Sequence, residues 1–249
     1  MGRSGTVAFI SGGASGIGMG LARAFHRRGA TVVIGGRNRA RLEAVARDCP
    51  GMEVEEVDVA YAADVEDCAH RVASRHPDLN LVVNNAGIQR LLDFSQDSPL
   101  PLEDLEAEID VNLKGLVFAT NAFLPVLRRQ PAARLVQVGS ALAFVPLVAA
   151  PLYSASKSAV HAFTIALREQ LRGTQVKVVE LMPPAVETEL HRGQTREQIR
   201  QMSLEDFTAG AMRGLDAGRE EIVVGLARAA RFGARFAPGL LFRTVNRPR

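Results

Sequence analysis

Apolar residues along the chain come in short unbroken runs that alternate with longer, helically spaced stretches. The runs Thr6–Ile10, Thr31–Ile34, Met52–Val57, Leu79–Val83, Arg134–Val138, Gln175–Leu181 and Glu221–Val224 predict strands. Most are continuous Val, Ile and Leu, as expected for parallel strands covered on both faces. Between them Met19–Arg28, Asn38–Asp48, Ala63–His76, Leu102–Gln130 and Tyr153–Leu171 carry helical apolar spacing. Strands and helices in alternation predict an α/β fold, a doubly wound parallel sheet flanked by helices. No repeat, linker or low-complexity segment interrupts it, so residues 1–249 are expected to form a single domain. The polar stretch 187–207 breaks the alternation and is long for a plain connection, which predicts a cover over a site.

Composition narrows the setting. Of 249 residues, 47% are hydrophobic, enough for a substantial core. Cys49 and Cys68 both fall in helix-like stretches and are too few for a disulfide framework, so a reduced, cytoplasmic location is expected. No signal-peptide pattern opens the chain, and no run is apolar enough to predict an integral membrane segment. The five histidines show no metal-ligand spacing, so no metal is expected. Charge is unevenly placed. No acidic residue follows Glu221, and six arginines lie between Arg228 and Arg249; against a total of +3, the rest of the chain is net −3. This basic tail, residues 226–249, also carries Phe232, Phe236, Leu240, Leu241 and Phe242. Its two readings are a helix packed on the domain with solvated arginines, or a surface for an anionic membrane or acidic partner. No nucleic-acid motif accompanies the charge, and nucleic acid is not an expected partner.

Two patterns carry chemistry. Ser11-Gly-Gly-Ala-Ser-Gly-Ile-Gly18 sits between a strand and a helix. Glycines there let the backbone turn tightly and approach a pyrophosphate, and a helix start offers free N–H groups to it. Gly12, Ser15, Gly16, Ile17 and Gly18 are therefore candidate cofactor contacts. Their spacing, Gly-x-x-x-Gly-x-Gly, differs from the common dinucleotide fingerprint. The second pattern is Tyr153 and Lys157, one helical turn apart, so both project from one face. A phenol beside an ammonium can transfer protons, and the charge would lower the tyrosine pKa. Ser140 lies just past a predicted strand, thirteen residues before Tyr153.

With Asn84-Asn-Ala-Gly87, Asn112 and Pro183–Thr188, these motifs make the chain resemble a classical short-chain dehydrogenase/reductase over roughly residues 5–225. Gly87–Arg90, Leu142–Pro146 and Pro183–Val186 look more narrowly like the DltE-like branch. The resemblance implies a Rossmann-type fold and an oxidoreductase that interconverts a small-molecule carbonyl and an alcohol by hydride transfer. Tyr153 would be the general acid/base and Lys157 would bind the nicotinamide ribose. Ser140 would place the substrate oxygen, and Asn112 would hold a water linking Lys157 to solvent. Asp58 and Val59 would meet the adenine, and Asn85, Ala86 and Gly87 would line the dinucleotide. Val186 and Thr188 would contact the carboxamide. Pro183-Pro184 replaces the family's Pro-Gly, which puts that loop's geometry in question. The resemblance also implies that the cover acts over substrate and that the two long helices form a homodimer or homotetramer.

Cofactor choice is readable at the end of the second strand, Ile34-Gly-Gly-Arg37-Asn38. No carboxylate stands there to hold a ribose hydroxyl, while Arg37 can fork onto a 2′-phosphate, so NADP(H) is expected. Gln89, Leu142 and Phe144 are expected in the substrate pocket. Two other classes remain open: an acyl hydrolase or transferase reusing Ser140, Tyr153 and Lys157, and a non-catalytic NADP(H) sensor.

Overall fold

The computed structural model describes residues 5–191 and 201–247. Seven strands form one parallel sheet: β1 (Val7–Ser11), β2 (Thr31–Gly36), β3 (Glu53–Glu56), β4 (Leu81–Asn84), β5 (Ala133–Val138), β6 (Val176–Met182) and β7 (Glu221–Val223). Their order across the sheet is β3-β2-β1-β4-β5-β6-β7. Chain order therefore reverses between β1 and β4, which pair Ile10 with Val83. Ligand crevices of such sheets open at that reversal, beyond the carboxyl ends of the strands. β1 is buried along its whole length, as its unbroken apolar run requires.

Helices α1 (Gly16–Arg27), α2 (Arg39–Arg47) and α7 (Leu204–Asp216) belong to one face; α3 (Ala62–Arg75), α4 (Leu102–Ile109), α5 (Gly115–Arg128) and α6 (Pro151–Gln170) belong to the other. The two apolar cores follow this division, with Phe25 and Phe207 in one and Phe123 and Leu167 in the other. Phe9 of β1 stacks on Phe123 at 4.6 Å, fixing α5 to the sheet. Beyond β7 lie α8 (Ala227–Phe236) and α9 (Pro238–Val245).

Three expectations are corrected. The predicted helix Leu102–Gln130 is not continuous α-helix, because Asp110–Lys114 form a π-helical turn between α4 and α5. Asn112 lies in that turn, and its side chain bonds across to Ile88 and Ser156. The glycine motif is partly helical, since α1 begins at Gly16 and not Met19. Of the expected cover, 192–200 lie outside the described residues, while Leu204–Phe207 open α7. Phe207 is completely buried in the core, so that end is scaffold. No helix among the described residues is long and apolar enough to cross a membrane.

Candidate active site

The crevice is built from loops at the carboxyl ends of β1, β4, β5 and β6. Gly12 and Gly16 take positive φ of 67° and 51°, conformations that other residues rarely adopt. A Cβ on Gly18 would overlap the Gly12 carbonyl oxygen, and one on Gly13 would lie 2.5 Å from Ile34. The loop is pressed against its neighbours on one side. On the other it lines a cleft of about 350 Å³ with Ser15, Gly16, Arg41, Thr188 and Leu204. Ser15 caps α1 in extended conformation without a side-chain cap bond, so its hydroxyl does not occupy the helix's first N–H groups. Bare N–H groups, glycines and the positive helix end make a cradle that fits a pyrophosphate.

Asn85 ties this loop to β4: its Nδ2 donates to the carbonyls of Ser11 and Gly12 at 3.0 and 3.3 Å. Ser11, given no role from sequence, accepts from the N–H groups of Asn85 and Ala86 at 3.0 and 3.1 Å. Val186 points into the core and is 2% exposed, so only its backbone is available to a ligand, whereas Thr188 faces Gly16. Ile17 and Val59 likewise pack into the two cores. Asp58 keeps one oxygen for the Ala60 N–H at 3.0 Å and the other 3.8 Å from Arg37.

Gly36 ends β2 with open space around it; the nearest atom to an added Cβ is a Leu42 methyl at 3.7 Å. Arg37 follows with its side chain 64% exposed, free to swing from its loose contact with Asp58. Asn38 caps α2 by accepting the Arg41 N–H at 3.0 Å. Arg41, one turn on from Arg37, forms an ion pair across the cleft with Glu189, a residue not singled out from the sequence.

Ser140 follows β5 by two residues and caps a 3-10 turn, accepting the Leu142 N–H at 3.1 Å. Pro151 starts α6, where a proline costs no hydrogen bond, and sets Tyr153 in the first turn. Tyr153 is 6% exposed, with its hydroxyl on the Ser140 side of the crevice. Leu142 packs partly against Tyr153, Phe144 meets His161 edge-on at 5.2 Å, and Gln89 is nearly buried with its carbonyl oxygen unpaired among the described residues.

The acidified phenol expected from sequence is not what the chain's own groups produce. Burial pushes Tyr153 up to about 12, the neighbouring Ser140 opposes this, and the Glu108 carboxylate adds to it. Lys157 does not reach the hydroxyl. Its ammonium donates to the Val138 carbonyl at 2.9 Å and lies 5.7 Å from the centre of the Tyr153 ring. Burial drives that ammonium down to about 8, while Glu180 acts the other way. Asn112, expected to hold a water, has its side chain committed: Oδ1 accepts from Ile88 N–H at 2.8 Å and Nδ2 donates to Ile88 O at 2.9 Å and Ser156 Oγ at 3.2 Å.

Two buried acids were missed. Glu180 is fully enclosed in β6 and bonds His161 Nδ1 at 2.8 Å, which raises the His161 pKa. Glu108, also fully enclosed, accepts the Arg90 N–H at 2.6 Å, and burial raises its pKa. A lone carboxylate inside the apolar run Val176–Met182 was the available signal for Glu180.

Known proteins resemble this chain in sequence and fold. A family model described as short chain dehydrogenase matches residues 6–199. A Bacillus subtilis (strain 168) protein named "Uncharacterized oxidoreductase DltE" is 37% identical over 240 residues, 95% of each chain. A solved short chain dehydrogenase from Burkholderia cenocepacia J2315, in complex with NADP, superposes with a TM-score of 0.85 at 28% identity, covering 98% of this chain and 99% of that one. A short chain dehydrogenase/reductase from Burkholderia phymatum, in complex with NAD, shares the fold with a TM-score of 0.83 at 22% identity, covering 100% and 98%. With the glycine loop, Ser140, Tyr153 and Lys157 gathered at the carboxyl end of the sheet, the chain belongs to the short-chain dehydrogenase/reductase family of oxidoreductases.

Proposed function

We infer that this oxidoreductase uses NADP(H) to interconvert a carbonyl and an alcohol, with Tyr153 as the proton-transferring group. The observation that carries the reading is spatial: the Lys157 ammonium lies 5.7 Å from the Tyr153 ring, beside Ser140, at the same carboxyl end of the sheet as the glycine cradle. The cradle residues fit a dinucleotide. Gly12, Gly16 and Gly18 with the α1 start would hold the pyrophosphate, and Asp58 with Ala86 and Gly87 would line the adenosine side. A bound nicotinamide would supply or accept the hydride.

The chain's own groups handle the proton. A phenol raised to about 12 stays protonated at neutral pH, which suits a donor to a developing alkoxide and favours reduction. Ser140, beside that phenol, is placed to orient the substrate oxygen. As Tyr153 gives up its proton, the phenolate is stabilised by the ammonium beside its ring. Lys157 must be charged for this, and Glu180 raises its pKa toward that state. Leu142, Phe144 and Gln89 would bound the substrate.

NADP(H) over NAD(H) is supported by Arg37 and by Gly36, whose missing side chain leaves room for a phosphate. The start of α2, with Arg41 in its first turn, adds positive potential there. The B. cenocepacia relative's complex with NADP agrees with this choice. The test is oxidation of NADPH and of NADH, followed by absorbance, across a panel of aldehydes and ketones. Turnover with NADPH at least tenfold above NADH is expected, by about 1.4 kcal/mol or more of phosphate recognition. Tight NADPH binding with no turnover on any carbonyl would assign the chain a sensing role instead.

A further inference from the structure

After β7 the chain leaves the sheet as α8 and α9, and these helices expose what a packed cap would bury. Ala227 is the buried residue of α8, and α9 has none. Phe232, Phe236 and Leu240 stand 67%, 65% and 67% exposed, and the two phenyl rings lean on each other at 4.5 Å. Single exposed apolar residues are ordinary, but a stacked aromatic pair on a helix face is a patch. Helical spacing sets Phe232 and Phe236 on one stripe, with Arg228 and Arg235 on the stripe beside it. Arg231 is bound to Glu221 at 2.5 Å, and Arg228 donates to the Val223 carbonyl at 2.9 Å. Arg235, Arg243 and Arg247 follow in a segment whose sequence holds no acid.

The hairpin is fixed to the catalytic domain. Leu241 packs over Gly233 and closes the two helices on each other. Val245 packs on the cluster of Leu147, Ala150 and Tyr153. Asn246 accepts from the Val148 N–H at 2.7 Å and donates to the Pro146 carbonyl at 3.0 Å. The tail thus grips the loop that precedes Tyr153, and its outer face is held in a set place relative to the crevice.

We propose that α8 and α9 dock the protein on an anionic bilayer surface. Phe232, Phe236 and Leu240 enter the boundary between headgroups and acyl chains, while Arg235, Arg243 and Arg247 meet lipid phosphates. Charge selects this occupant. In a symmetric pairing of two copies, the same patch would face itself and bring arginines against arginines with no acid between them. A bilayer carrying anionic lipid offers phosphates for the cations and hydrocarbon for the rings together. The grip of Asn246 on residues 146–148 would then set the crevice near the interface, where apolar carbonyl compounds partition.

The full chain is sedimented with vesicles of phosphatidylcholine and with equal mixtures of phosphatidylcholine and phosphatidylglycerol, at low and high salt. Partitioning onto the mixed vesicles is expected to exceed that onto phosphatidylcholine by about tenfold or more and to weaken with salt. Arg235→Glu with Arg243→Glu, and separately Phe232→Ser with Phe236→Ser, should each remove about tenfold, with NADPH binding retained as the sign of an intact fold. The chain has no tryptophan, so Phe236→Trp makes a single reporter whose emission should shift to the blue on anionic vesicles. Equal partitioning onto both vesicles overturns the proposal, as does an unshifted reporter. So does an oligomer in solution that the Phe232/Phe236 pair of changes disperses, which would give the face to a second copy.

Discussion

Lys157→Met separates what the lysine does for chemistry from what it costs the fold. Lys157 is 3% exposed, and burial brings its pKa from 10.5 to about 8. In the unfolded chain the lysine holds its proton to about pH 10.5, so between pH 8 and 10.5 the unfolded state binds more protons than the native one. Stability owed to this group therefore rises with pH across that window. Below pH 8 the native state carries a penalty of about 3 kcal/mol, from roughly 1.4 kcal/mol per pKa unit. Methionine keeps the unbranched stem, one atom shorter, and removes the charge. It also strands the Val138 carbonyl, now bonded to Nζ at 2.9 Å, at a cost of about 1–3 kcal/mol that does not vary with pH. The net change at neutral pH is thus small, and the diagnostic is its slope. Urea unfolding of both proteins at pH 7 and pH 9.5 should show the variant losing about 2 kcal/mol relative to wild type over that interval. Turnover should be nearly abolished throughout. A difference in stability that stays constant with pH would refute the buried-ammonium reasoning.

Glu180→Gln removes the charge that raises the Lys157 pKa, so the alkaline limb of the kcat/KM profile should move to lower pH; an unmoved limb would disconnect Glu180 from Lys157. Gly36→Asp with Arg37→Ala should cut the NADPH-to-NADH preference by about 10- to 100-fold, read from kcat/KM, with thermal stability unchanged because the Gly36 Cβ position is open. Gly18→Ala should lose about 1–3 kcal/mol in urea unfolding and weaken NADPH binding together, since its methyl meets the Gly12 carbonyl. Unimpaired binding there would place the pyrophosphate elsewhere.

Much of the scaffold was legible because parallel strands buried on both faces are mostly apolar, and β1, β2 and β4 carry such runs. Short-range chemistry was legible too: Pro151 sets the start of α6, and glycines mark the β1 turn. The departures were tertiary. The π turn at Asp110–Lys114 carries no local signal and is accompanied by Asn112 reaching Ile88 and by Gly115 fitting beneath Val59. Tyr153 and Lys157 share a helix face as spacing requires, yet their pKa values answer to burial and to distant acids, Glu108 and Glu180, that no spacing rule links to them. Arg41 and Glu189 lie 148 positions apart and meet only once β2 and β6 are placed. Polar composition marked 187–207 as unusual, but it did not reveal that Phe207 belongs to the core.

The most direct measurement is Tyr153→Phe, assayed for NADPH binding by fluorescence and for carbonyl reduction in the same preparation. The ring packs against Leu147 and Ala150 and phenylalanine retains it, so cofactor affinity should stay within about threefold. Loss of the hydroxyl should slow reduction by about 100-fold or more. Reduction continuing at the wild-type rate would show that the proton comes from somewhere other than Tyr153.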